Sequence, residues 1–121
     1  MGISVRHRKM LCGGEFNPKS EIIWVNKDYR ETLDGCYYLC HEFIHYRQLY
    51  YNEFPEFFAM STPEPFSDKK LAIVLEAEYN AVNRAVKMLR TYGIRGYMPI
   101  ELHPNTRQSC IEYWKNEYFK K

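Results

Sequence analysis

Apolar residues recur at helical spacing in two stretches of the chain, and a third stretch is built of strand-forming residues. From Leu71 to Leu89, leucine, isoleucine, valine and alanine return every three or four positions, which marks one face of an α-helix turned towards a core. Ser67-Asp68 offers a cap for its first amides, and the helix should end before Gly93. A second helix is expected from about Glu31 or Thr32 to Tyr51, weakened in its early turns only by Gly35. Glu21-Ile22-Ile23-Trp24-Val25-Asn26 is β-branched and aromatic and reads as a strand. The turn cluster Asn17-Pro18-Lys19-Ser20 joins it, as a hairpin, to one or two short strands within Ile3 to Phe16, where Cys12-Gly13-Gly14 marks a bend or bulge. Between Asn52 and Ser67, Pro55, Pro63 and Pro65 forbid a continuous helix, which leaves a connector or cleft wall pinned by phenylalanines. Gly96 to Gln108 is irregular, and a short amphipathic segment runs from Ser109 to Phe119. The expected architecture is a single α+β domain, residues 1–121, with a small mixed sheet or hairpin packed on two main helices and a short C-terminal helix.

Composition narrows the class. A chain of 121 residues that is 45% hydrophobic and 17% aromatic buries one core and leaves no room for a second. Seventeen basic and fifteen acidic side chains give a formal charge of +2, far from the single-sign field of a nucleic-acid or membrane-surface binder. The basic first residues are followed by no apolar run of signal length, and no stretch is long enough to span a bilayer. A soluble, cytoplasmic protein without nucleic-acid or membrane partners is expected. Cys12, Cys36, Cys40 and Cys110 follow no dense disulfide pattern and are expected to be reduced. Cys36 and Cys40 fall on the apolar side of the first helix, where core packing is the favoured reading over a pair of metal thiolates.

The chemistry concentrates in His41-Glu42-Phe43-Ile44-His45. On a helix the two histidines stand one above the other and both can reach one ion, while Glu42 is turned by about 100° and can face a water held by that ion. Two histidines, a carboxylate and one open position are the zinc arrangement that keeps a water available and lowers its pKa to about 7. Asp34, Tyr38, His41, His45 and Gln48 form one polar arc of this helix, with Leu33, Cys36, Leu39, Cys40, Phe43 and Ile44 around the rest.

A third ligand is needed, and the second long helix offers Glu76 and Glu78. Glu78 shares its face with Leu71, Val74, Leu75, Val82, Ala85 and Leu89, whereas Glu76 points the same way as Asn80, Asn83 and Lys87. A carboxylate in the middle of a packing face is costly unless paired or bound to a cation. Glu78 is therefore the favoured ligand, with a buried ion pair to an arginine as its alternative.

The HExxH run followed by a glutamate-bearing helix roughly thirty residues downstream resembles the gluzincin clan of zinc metallopeptidases. The minimal soluble members, the minigluzincins, are the most similar, with HtpX-like and ImmA/IrrE-like peptidases as relatives. The resemblance covers about Cys12 to Leu89. It implies a zincin-like fold, bound Zn2+, metal ligands His41, His45 and Glu78, the last as first residue of the glutamate-x-x-alanine pattern in Glu78-Tyr79-Asn80-Ala81, and Glu42 as catalytic general base. The clan often places aspartate or asparagine four residues after its glutamate ligand; Val82 stands there for Glu78 and Asn80 for Glu76, so the alternative register stays open. Tyr51 occupies the place of a metzincin's third ligand. The hairpin ending in Ile22-Ile23-Trp24-Val25 lies where such folds place the edge strand that pairs with an extended substrate.

The implied reaction is hydrolysis of peptide bonds in a peptide or protein substrate. No residue is singled out by spacing as the extra donor to the tetrahedral oxygen; His103, Tyr38 and the other tyrosines are candidates. The segment 96–121 either completes the core or packs across the cleft as a regulatory element. The rival readings are a zinc-binding or protein-interaction module that cleaves nothing, and a helical domain whose histidines are structural.

Overall fold

The computed structural model describes residues 3–121. It shows a small α+β fold with a three-stranded mixed sheet and four α-helices: β1 (Ser4–Arg8), β2 (Gly14–Asn17), β3 (Ile22–Asn26), α1 (Leu33–Tyr50), α2 (Pro55–Phe58), α3 (Asp68–Thr91) and α4 (Arg107–Tyr118). The sheet order is β1-β3-β2. β2 and β3 form the antiparallel hairpin, Glu15 opposite Trp24, and β1 runs parallel to β3 on its other side, Val5 opposite Ile23. Asn17 closes the turn by accepting from the amides of Lys19 and Ser20, as an Asx turn does. Strand Ile22–Val25 is therefore the centre of the sheet. The free edge beside the cleft is β2, the first strand of the expected hairpin. The buried Asn26 side chain donates to the carbonyls of Met10 and Cys12, both at 3.0 Å, and fixes the loop between β1 and β2.

The start of α1 is capped by Thr32, whose hydroxyl accepts from the Gly35 amide at 3.0 Å. Gly35 does more than weaken propensity there. A Cβ at this position would lie 2.0 Å from the Tyr29 carbonyl oxygen, so its absence lets the 3-10 turn Lys27–Tyr29 dock on the helix. Ser67 caps α3 in the same manner through Lys70.

Helices α1 and α3 pack on each other, and Ala77, Ala81 and Ala85, spaced one turn apart and fully buried, let the two backbones approach closely. On one side of the contact Tyr37, Ala85, Val86 and Leu89 form a core; on the other, Phe57, Val74, Ala77, Trp114 and Phe119 form a second. The last pair brings α4 into the core. Its C-terminal end is tied down by the Glu64 amide donating to the Tyr118 carbonyl and the Lys120 amide donating to the Glu64 carbonyl. All four cysteines are free thiols. Cys36 is exposed and Leu33 is 55% exposed, so these two do not pack in a core as the apolar side of the wheel suggests. No helix among the described residues is long and apolar enough to cross a membrane.

Candidate metal centre

α1 buries polar side chains as well as the apolar Tyr37 and Ile44. His41, His45 and Gln48 are buried against α3, where Glu78 is only 4% exposed and Glu76 is exposed. His41 Nε2, His45 Nε2 and Glu78 Oε1 converge: the two nitrogens are 3.1 Å apart, and the oxygen lies 3.1 Å from the first and 2.7 Å from the second. The register of α3 thus presents Glu78 to the histidines and Glu76 to solvent. No arginine meets Glu78; its partners are the two imidazoles and, through Oε2, the Tyr118 hydroxyl at 2.6 Å.

The protonation of His45 follows from donors several residues away. Arg84 can only donate, and it donates to Asn80 Oδ1 at 3.1 Å. Gln48 Nε2 donates to that same oxygen and to the Ala77 carbonyl, each at 3.0 Å. The amide oxygen of Gln48 must then face His45 Nδ1, 2.8 Å away, and accept its N–H. His45 Nε2 is left as the nitrogen with the free lone pair. His41 is held from behind by the Tyr37 hydroxyl, 3.1 Å from Nδ1.

Two imidazole nitrogens and a carboxylate oxygen facing one another across 2.7–3.1 Å need a proton or a cation between them. Without a metal the proton resides on the histidines. Burial opposes a charged imidazole, but the Glu78 carboxylate outweighs it and raises His45 to about 9, and the hydrogen bond that His41 donates to Glu78 lifts His41 in the same direction. Burial likewise pushes Glu78 up, and the His45 charge with the two imidazole hydrogen bonds holds it well below the usual carboxylate range. A tetrahedral ion bound at about 2.0–2.1 Å sets donor atoms roughly 3.3 Å apart. The three side chains therefore accept such an ion by opening about 0.2 to 0.6 Å, most between His45 and Glu78. Among the described residues, His41, His45 and Glu78 are a buried group that could bind a metal ion.

Glu42 borders the same cleft, a volume of about 740 Å³ between β2 and the loop before it, α1, α2 and α4. Burial pushes its carboxyl up, against the opposing pull of His41 and His45. Gly13 and Gly14 let β2 pass close over α1: a Cβ on Gly13 would lie 2.4 Å from the Tyr38 ring, and one on Gly14 would lie 3.2 Å from Glu42 Cγ. Tyr38 lines the cleft, whereas His103 is exposed and borders only a neighbouring recess.

Gln48, Tyr37 and Tyr118 support this centre in roles that the sequence did not single out. Gln48 follows His45 by three residues on the same helix face, a spacing that signals contact. Tyr118 carries no comparable local sign. No protein-family model, curated protein or solved structure matches the chain.

Proposed function

We propose that the protein is a zinc-dependent metallopeptidase of zincin-like, gluzincin-type architecture. The observation that carries this reading is the convergence of His41 Nε2, His45 Nε2 and Glu78 Oε1 in a buried group beside Glu42 and an open cleft. The donor set is one carboxylate and two imidazoles, as zinc prefers when one position is left open. When bound, zinc supplies Lewis acidity for activating water and polarising a carbonyl.

The chain's own groups supply the rest. Glu42, with a carboxyl raised by burial, is suited to take a proton from the attacking water and return it to the leaving amine. Gln48 and Tyr37 orient the imidazoles from behind, and Tyr118 fixes the unused oxygen of Glu78. The free edge of β2 runs along the cleft, where an extended peptide can add as a further strand and be held by main-chain hydrogen bonds.

A metal-binding module without turnover is the second reading. It is favoured by the position of α4, whose Tyr113, Glu117 and Tyr118 line the cleft beside the His41–His45–Glu78 group.

Elemental analysis of untagged protein, followed by a peptide-library cleavage assay with Glu42→Gln beside it, tests both readings. About one zinc per chain, retained by Glu42→Gln while cleavage disappears, is the result expected of the peptidase. Zinc without cleavage selects the module, and no metal uptake when zinc is supplied removes both.

A further inference from the structure

Behind His41, on the side away from Glu78, lies a recess of about 300 Å³ walled by tyrosines. Tyr29, Tyr38, Tyr37 and Tyr97 form a continuous row, with ring centroids 5.3, 5.6 and 5.4 Å apart in succession. Aromatic faces carry partial negative charge and attract cations. The recess shares Tyr38 and Glu101 with the large cleft, so a group entering it lies next to whatever occupies the metal centre.

Two carboxylates complete the walls. Asp34 already accepts from the Tyr97 hydroxyl and sits in the first turn of α1, where the helix dipole stabilises it. Glu101 is less fully compensated. Its side chain is 12% exposed, its Oε1 is buried with no hydrogen-bond partner, and the basic nitrogen nearest Oε2 is His41 Nδ1 at 4.0 Å. The Tyr37 hydroxyl borders the same carboxylate. Among the described residues no lysine or arginine lines the recess, and His103, the one base there, is exposed. A largely buried carboxylate with one oxygen unpaired and only an imidazole, at 4.0 Å, as basic neighbour is under-compensated and favours the arrival of a further cation.

We infer that this recess is a subsite for a cationic side chain, the ammonium of lysine or the guanidinium of arginine, with Glu101 as its counter-charge and the tyrosine row as its walls. Read with the peptidase proposal, on which this last step rests, it selects substrates with a basic residue next to the scissile bond. The volume has room for one long side chain, and the two carboxylates repel an acidic one.

Methionine methyl NMR tests this directly, because Met98 lines the recess and Met60 lines the large cleft. Zinc-loaded and metal-free protein, each labelled at the methionine methyls, would be titrated with the N-acetyl methylamides of lysine, arginine, norleucine and glutamate. The lysine and arginine compounds should shift the Met98 resonance at concentrations about 10-fold or more below norleucine, in both forms of the protein. Glu101→Gln should remove that preference and Asp34→Asn weaken it, each variant keeping its zinc. Equal response to norleucine and lysine, or no Met98 shift by any compound up to tens of millimolar, would overturn the inference. So would a Glu101→Gln variant that loses zinc affinity yet binds the lysine compound unchanged, since Glu101 would then serve His41. Absence of peptide cleavage beside a normal Met98 response removes the peptidase reading and leaves the cation site standing.

Discussion

Tyr118 and Glu78 stand forty residues apart in the chain, and the hydroxyl of the first donates to Oε2 of the second at 2.6 Å. Burial and the neighbouring carboxylate hold that phenol well above its ordinary pKa, so it remains a neutral donor. The last turn of α4 thereby decides which oxygen of Glu78 is free to face the histidines. Tyr118→Phe should leave the fold intact and cost roughly 1.5–3 kcal/mol of stability, the range for a hydrogen bond to a charged group. Chemical denaturation of the metal-free protein checks this, and a competition titration should show weaker zinc binding in the same variant.

Gln48→Ala removes the acceptor of the His45 Nδ1 proton and leaves the Ala77 carbonyl without its side-chain donor. Support of this kind behind a metal-ligating histidine is worth about 10- to 100-fold in affinity, and that loss is expected in a zinc competition titration. Thermal unfolding of the metal-free variant should show a further loss of roughly 1–3 kcal/mol for the buried groups left unpaired.

The charge pair predicts how metal-free stability varies with pH. His45 rises from 6.5 to about 9 on folding, so its contribution is complete below pH 6.5 and is lost as pH climbs through 9; His41 moves in the same direction. Over that window each proton held only by the folded state removes about 1.4 kcal/mol per pH unit. Glu78 acts in the opposite sense: its contribution is present above an unfolded value of 4.5 and is lost as pH falls towards its lowered folded value. Denaturant titrations should place maximal metal-free stability between about pH 5 and 6.5. With zinc bound the alkaline decline should disappear, because the ion takes the place of the proton on Nε2.

Gly13→Ala puts a methyl 2.4 Å from the Tyr38 ring. Either the ring leaves the cleft wall or β2 lifts from α1, at about 1–3 kcal/mol for overpacking. Gly14→Ala, with its nearest neighbours at 3.2 Å, should be milder, and the order of the two melting temperatures checks the argument.

Truncation after Leu102 separates the two roles open to the C-terminal segment. Trp114 and Phe119 are 6% and 3% exposed and share a core with Phe57, Val74 and Ala77. The truncated chain should lose cooperative unfolding, since Trp114→Ala alone is expected to cost about 3–5 kcal/mol. A folded and more active truncated protein would instead make α4 a dispensable cover.

The elements legible in the sequence are those whose signal is local. The α3 stripe from Leu71 to Leu89, its Ser67 cap, the strand at Ile22–Asn26 and the short last helix all come from spacing and capping within a few residues, and each lies within a few residues of its expected place. The burial of Glu78 was legible for the same reason, because its position on a helix follows from that of its neighbours. The HExxH spacing put His41 and His45 on one face, and they lie together.

What lay beyond the sequence depends on contacts between residues distant along the chain. In α1 the apolar Leu33 and Cys36 face solvent while His41, His45 and Gln48 are buried, because the polar arc finds its hydrogen-bond partners on α3, and satisfied polar groups can be buried. The parallel pairing of β1 with β3, and hence β2 as the free edge, follows from how the chain crosses the sheet. Tyr118 on Glu78, Gln48 between two helices and the orphaned oxygen of Glu101 exist only once the helices have docked. Periodicity specified the inward face of α3, whose apolar stripe is continuous; in α1 that choice, and in both helices the partner met there, is made by three-dimensional packing.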